Sequence, residues 1–207
     1  MMGSKTKADK IVRALKKLFP RTKTALEYKT PFQLLVAVIL SAQTTDKKVN
    51  EVTPRLFTKF KTASDFANLS QNELESYIKS IGLYRGKAKN IIAAALIISK
   101  KYNGELPRSI AEMIALPGVG RKTASVVLGI TYGVVEGIAV DTHVRRLSQL
   151  FGFSKSSNPD IIERDLMAIL PKSEWQEFTF RMIDYGRTFC PASCKHTDCP
   201  LREFIVK

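Results

Sequence analysis

Leu116-Pro117-Gly118-Val119-Gly120-Arg121-Lys122-Thr123-Ala124 is the stretch on which the reading of this chain turns. It lies between two helical patterns. Upstream, Ser109 and Glu112 have the spacing of a capping box, followed by apolar Ile110, Met113, Ile114 and Leu116. Pro117 and Gly118 stop that helix. Downstream, Thr123 to Ile130 reads as a buried helix. The connection is a tight hairpin with glycines two residues apart. Such glycines leave backbone N–H groups uncovered at a helix N-terminus, where the dipole favours an anion. Gly118, Gly120 and Arg121 are therefore candidate phosphate contacts. Lys122 is placed against the positive end of the helix dipole and beside Arg121, and both disfavour its charge. A neutral amine is a nucleophile. On these residues alone Lys122 fits equally a nucleophile and a second phosphate-contacting cation.

Composition restricts the partner. The chain has 207 residues, 33 Lys plus Arg against 19 Asp plus Glu, and a net charge of +14. That excess points to a polyanion, either nucleic acid or an anionic membrane. The longest apolar runs, Leu34–Leu40 and Ile91–Ile98, fall far short of the ~20 residues that span a bilayer. No secretory signal opens the sequence. The expectation is a cytoplasmic protein with reduced cysteines and no membrane partner. With 44% apolar residues the chain has material for a real core.

Read in order, residues 1–7 suggest disorder, and Ala8 to Leu18 an amphipathic helix carrying Ile11, Val12 and Leu15. Pro31 and Phe32 open a helix whose run Leu34–Leu40 is apolar all round, the pattern of a central core helix. It ends at Ser41-Ala42-Gln43-Thr44-Thr45-Asp46, where Thr44 or Thr45 caps the next helix and Gln43 lies in the turn. Ser70 and Glu73 repeat the capping-box spacing. Their helix ends at Ile81-Gly82, and Leu83 follows in a basic turn where an exposed apolar residue is unusual. Asp141 reads as an N-cap, with Val144 and Leu147 on the buried face. Asn158-Pro159 opens another helix, and Ser173–Tyr185 forms the last. His143 is given no catalytic role. No useful strand-period alternation occurs, so the fold class is all-α.

The segments LPGVGRKTASVVLG and AVDTHVRRL, with SAQTTD at 41–46 and IGLYRGKAKNI at 81–91, resemble the endonuclease III family of helix-hairpin-helix DNA glycosylases. The resemblance runs from about Phe32 to Leu201. It implies two helical lobes with a DNA-binding cleft between them. One is continuous over 30–136 and contains the helix-hairpin-helix; the other is built from 1–29 plus 137–207. It implies that Lys122 and Asp141 are catalytic, that Gln43 and Leu83 fill the space vacated in the duplex, and that the hairpin holds a phosphate. The implied activity is a bifunctional DNA glycosylase and AP lyase acting on oxidised pyrimidines. The implied partner is damaged or abasic double-stranded DNA, bound by a monomer. A mismatch-specific glycosylase of the same superfamily and a non-catalytic DNA-binding protein are the alternatives.

All three cysteines, Cys190, Cys194 and Cys199, fall within ten residues, which suggests metal ligation or its remnant. Many members of the resembled family hold a [4Fe–4S] cluster through C-x6-C-x2-C-x5-C. Here the spacing is C-x3-C-x4-C, with His196 at the second place and Ile205 at the fourth. The ligand set Cys190, Cys194, Cys199 is incomplete by that count, and the expectation is that no cluster is held and that catalysis requires no cofactor. A zinc site that adds His196 suits the ligand types but no familiar finger spacing.

Overall fold

The computed structural model describes residues 4–206. Among these residues the secondary structure is entirely helical, in two compact units. One unit comprises the chain up to Thr24 and from Val135 onward; the other runs from Ala25 to Val134.

Helix α1 spans Ser4–Leu18 and belongs to the first unit. It begins earlier than the expected Ala8. Neither glycine nor proline occurs between Ser4 and Ala8 to stop it, so residues 4–7 continue the helix, and residues 1–3 lie outside those described. Ala8, Ile11, Val12 and Leu15 form its buried stripe.

The second unit is built around α2, Pro31–Ser41. Thr30 caps it by accepting from the Gln33 N–H at 3.2 Å, and Pro31 supplies the preset first-turn φ. Leu34, Leu35, Val36, Ala37 and Leu40 are all essentially inaccessible, each leucine contributing about 1.5–3 kcal/mol through burial. Helix α3, Asp46–Lys59, is capped by Thr45 and contains Pro54 within it. Helix α4, Ala63–Ala67, carries a complete reciprocal capping box between Thr62 and Asp65. Helix α5, Gln71–Ile78, has half of one. Ser70 accepts from the Glu73 N–H, while the Glu73 carboxylate pairs with Lys59 at 3.3 Å. Helix α6 runs over Tyr84–Lys101, α7 over Ile110–Ile114, and α8 over Arg121–Tyr132. Helix α2 packs on α3, α6 and α8. Phe66 receives Phe32 and Phe60 edge-on at 5.3 and 6.0 Å, which extends the core towards α4.

The chain then returns to the first unit with α9, Thr142–Leu150, α10, Pro159–Ile169, and α11, Trp175–Thr188. Short 3-10 turns occur at Lys172–Glu174 and Arg202–Phe204. Phe151, Phe178, Met182 and Tyr185 fill this second core beside Ile11 and Leu15. Trp175 packs there and donates its indole N–H to the Leu170 carbonyl at 3.0 Å. Arg181 is buried, paired with Glu174 and Glu177, and donates to the Phe19 carbonyl, which ties α11 to the end of α1. No described helix is long and apolar enough to cross a membrane.

Candidate active site and metal centre

The hairpin joins α7 to α8. Ser109 caps α7 through the Glu112 N–H at 3.3 Å. Leu116 and Val119 turn inward and are buried, which pins the loop from below. The two glycines serve different ends. Gly118 has φ of +77°, and a β-carbon there would stand 2.8 Å from Cβ of Asn90 on α6. The turn therefore needs glycine both for its left-handed backbone and for the close approach of α6. Gly120 has φ of −88° and open space where a β-carbon would stand. It precedes α8 without providing a side-chain cap. Arg121 and Lys122 occupy the exposed first turn just beyond it.

In the other unit, Asp141 is the N-cap of α9 and accepts from the Val144 N–H through Oδ1 at 2.8 Å. Its side chain is half-buried. Val144 and Leu147 behind it are fully buried, so the cap rests on a fixed helix.

Gln43 and Leu83 are exposed residues in adjacent turns. Both have left-handed backbone, with φ of 53° and 59°. Leu83 is 65% exposed, a large apolar side chain held out from the surface. The neighbouring Gly82 places its would-be β-carbon 3.6 Å from the Gln43 carbonyl oxygen and 3.7 Å from Thr44 Oγ1. One side chain absent from the expected set sits beneath both turns. Lys87, on the first full turn of α6, is buried and donates from Nζ to the carbonyls of Leu40 and Ala42 and to Thr44 Oγ1, at 2.8, 2.6 and 3.2 Å. Burial pulls its ammonium below the ordinary lysine range. The sequence does carry a signal for it: Lys87 falls on the stripe 87, 91, 94, 98 that α6 buries, where a cation requires an internal partner.

The cysteine tail differs from its expected form. Sγ of Cys190, Cys194 and Cys199 and a ring nitrogen of His196 all lie within 4.8 Å of one another. Nδ1 of His196 stands 3.5 Å from Cys190 Sγ and 3.7 Å from Cys199 Sγ, and the sulfurs of Cys194 and Cys199 are 3.1 Å apart. Burial raises the Cys199 thiol above its ordinary range, while hydrogen bonding from Cys199 and then from the His196 N–H lowers Cys194. Arg146 donates to the Cys190 carbonyl at 2.5 Å and lies 3.7 Å from its sulfur.

The expectation that no iron–sulfur cluster is held is thus corrected. Counting along the chain left the fourth place to Ile205. The fold instead turns the chain through left-handed His196, with φ of 62°, and brings Cys194 into the set. Three thiols and an imidazole make a four-donor set consistent with an iron–sulfur site, in which histidine can replace cysteine.

Comparison with known proteins agrees with this architecture. The family described as HhH-GPD superfamily base excision DNA repair protein matches residues 36–172. Endonuclease III of Synechocystis is 47% identical over 192 residues, covering 93% of this chain and 88% of that protein. A solved endonuclease III in a non-covalent complex with DNA superposes with a TM-score of 0.93 at 45% identity, covering 99% of this chain and 96% of the other. Another, trapped as a covalent intermediate with DNA, gives 0.91 at the same identity and coverage. By these matches the chain belongs to the endonuclease III family of the HhH-GPD superfamily.

Proposed function

We propose that this chain is a bifunctional DNA glycosylase and AP lyase of base excision repair, with Lys122 as its nucleophile and Asp141 as the assisting carboxylate. The substrates are oxidised or ring-saturated pyrimidines and abasic sites in double-stranded DNA. The observation that carries this reading is the placement of Lys122. It is an exposed residue on the first turn of α8, two positions beyond Gly120, in a chain 45% identical to an enzyme trapped covalently on DNA.

The net charge of +14 provides sequence-independent attraction to the duplex, which weakens as salt rises. Gly118, Gly120 and Arg121 seat a phosphate at the start of α8. The damaged nucleotide leaves the stack, and Leu83 and Gln43 occupy the gap. The neutral amine of Lys122 then attacks C1′. The bond from C1′ to the base breaks, and the base departs with the bonding pair and takes up a proton. The carboxylate of Asp141 stabilises the positive charge that develops at C1′ and assists proton movement. The attached amine gives up a proton, the C1′–O4′ bond breaks with O4′ taking up a proton, and the protonated Schiff base that results acidifies C2′. Loss of that proton expels the 3′ phosphate by β-elimination, and water frees Lys122 from the opened sugar. The Cys190, Cys194, His196 and Cys199 donors would hold an iron–sulfur group, which would cross-link the end of the chain just after α11. The protein works in the cytoplasm on nucleoid DNA.

Borohydride reduction on an abasic duplex tests this directly. The wild-type protein gives a covalent protein–DNA adduct. Lys122→Ala gives none while keeping DNA affinity within about threefold. Trapping by Lys122→Ala, or none by the wild type, overturns the assignment.

A further inference from the structure

Leu83 and Gln43 present a physical problem. A leucine with left-handed backbone is strained, and such a conformation persists only where its surroundings over-determine it. Leu83 opens α6 with no side-chain cap. Gln43 likewise follows the end of α2, where the last carbonyls lack helical partners. Two exposed side chains meant to enter a duplex would be poorly aimed if their turns moved independently.

Lys87 touches both turns. Its backbone N–H donates to the Leu83 carbonyl at 3.1 Å, the bond that closes the first turn of α6. Its ammonium grips Leu40, Ala42 and Thr44, residues on either side of Gln43. The Leu40 and Ala42 carbonyls lie at the negative end of the α2 dipole, where a cation is favoured. The same stretch of α6 reaches the hairpin through Asn90, whose side chain lies against Gly118. Within this unit, α6 thus sets Leu83 at its start, the Gln43 turn through Lys87, and the phosphate hairpin through Asn90.

We infer that Lys87 is a positioning residue that locks the Leu83 and Gln43 turns into one rigid two-pronged wedge for opening the duplex. This rests on the reading of the chain as a glycosylase. Lys87 is buried and touches neither the sugar nor the base. It acts through the wedge, so its contribution is confined to substrates whose bases must still be unstacked. A merely structural lysine would slow every substrate alike.

The test uses the full-length protein and two duplexes with the same dihydrouracil lesion, one base-paired and one in an unpaired bulge, with 2-aminopurine beside the lesion as a reporter of unstacking. Lys87→Met should bind both within about threefold of wild type. It should lose the 2-aminopurine increase and slow single-turnover excision from the paired duplex by roughly tenfold to a hundredfold, against less than about threefold from the bulge. Added to Leu83→Ala, it should slow the paired substrate no further, because both act through one device. If Lys87→Met does not melt cooperatively, Lys87→Gln, which keeps the stem and one donor group, carries the same comparison. A retained 2-aminopurine signal, equal slowing on both duplexes, or full additivity with Leu83→Ala overturns the inference. If the wild type excises from neither duplex and is not trapped by borohydride, it is the glycosylase reading that fails.

Discussion

The starts of α6 and α8 are alike in one respect and opposite in another. Neither has a side-chain cap, whereas α2, α3, α4, α5, α7, α9 and α10 are all capped by Thr, Ser, Asp or Asn. At α6 the lysine of the first turn, Lys87, is buried against three oxygens, and the exposed feature is an apolar side chain. At α8 the lysine of the first turn, Lys122, is exposed, and the N-cap Gly120 has open space where a β-carbon would stand. The difference separates two uses of one residue type. A lysine saturated by internal acceptors holds geometry. On the proposed reading, a lysine left exposed at the start of a helix is the one that reaches the sugar.

Asp141 gives the sharpest way to break this comparison, because it is a capped helix start with a proposed chemical duty as well. Asn caps about as well as Asp. Asp141→Asn should therefore leave thermal stability within about 0.5 kcal/mol of wild type while slowing base release by roughly 10²–10⁴-fold. Equal effects on melting and excision would reduce Asp141 to a cap.

The two hairpin glycines give a graded version. Gly118→Ala meets both the left-handed φ of +77° and the 2.8 Å approach to Asn90, and should destabilise by about 1–3 kcal/mol in chemical denaturation. Gly120→Ala has an ordinary φ and room for a methyl group. It should fall within about 0.5 kcal/mol of wild type in stability yet weaken duplex binding. A large stability loss at Gly120 would mean that the open space serves folding instead of a phosphate.

Much of this was legible in the sequence because it is local. The capping residues before α3, α5, α7, α9 and α10 sit within four residues of the N–H groups they serve, and the apolar stretch of α2 announces a central helix. The hairpin is contiguous, so its glycines and lysine could be read in one window. What escaped detection depends on distance in the chain. Lys87 reaches residues more than forty positions away. Asn90 meets Gly118 only in the folded unit. The cysteine tail misled for the same reason: counting spacing says where ligands lie along the chain, while a left-handed residue at His196 decides which of them meet. The short α4 was missed for a plainer cause, since five residues give little periodicity.

The tail supplies the smallest expected effect on catalysis. Protein purified without oxygen should contain iron and sulfide and absorb in the visible range. Cys199→Ala should lose the iron and the absorbance while the excision step itself slows little, as measured on the folded fraction. Full iron content in Cys199→Ala would remove Cys199 from the ligand set.

The central claim is that the amine of Lys122 bonds to the sugar. Its most direct test is to reduce the wild-type complex with an abasic duplex by borohydride, digest protein and DNA, and locate the modified residue by mass spectrometry. The account predicts a deoxyribose remnant on Lys122, in the peptide that begins the α8 helix. A remnant on any other amine, Lys87 and the N-terminus included, would contradict it.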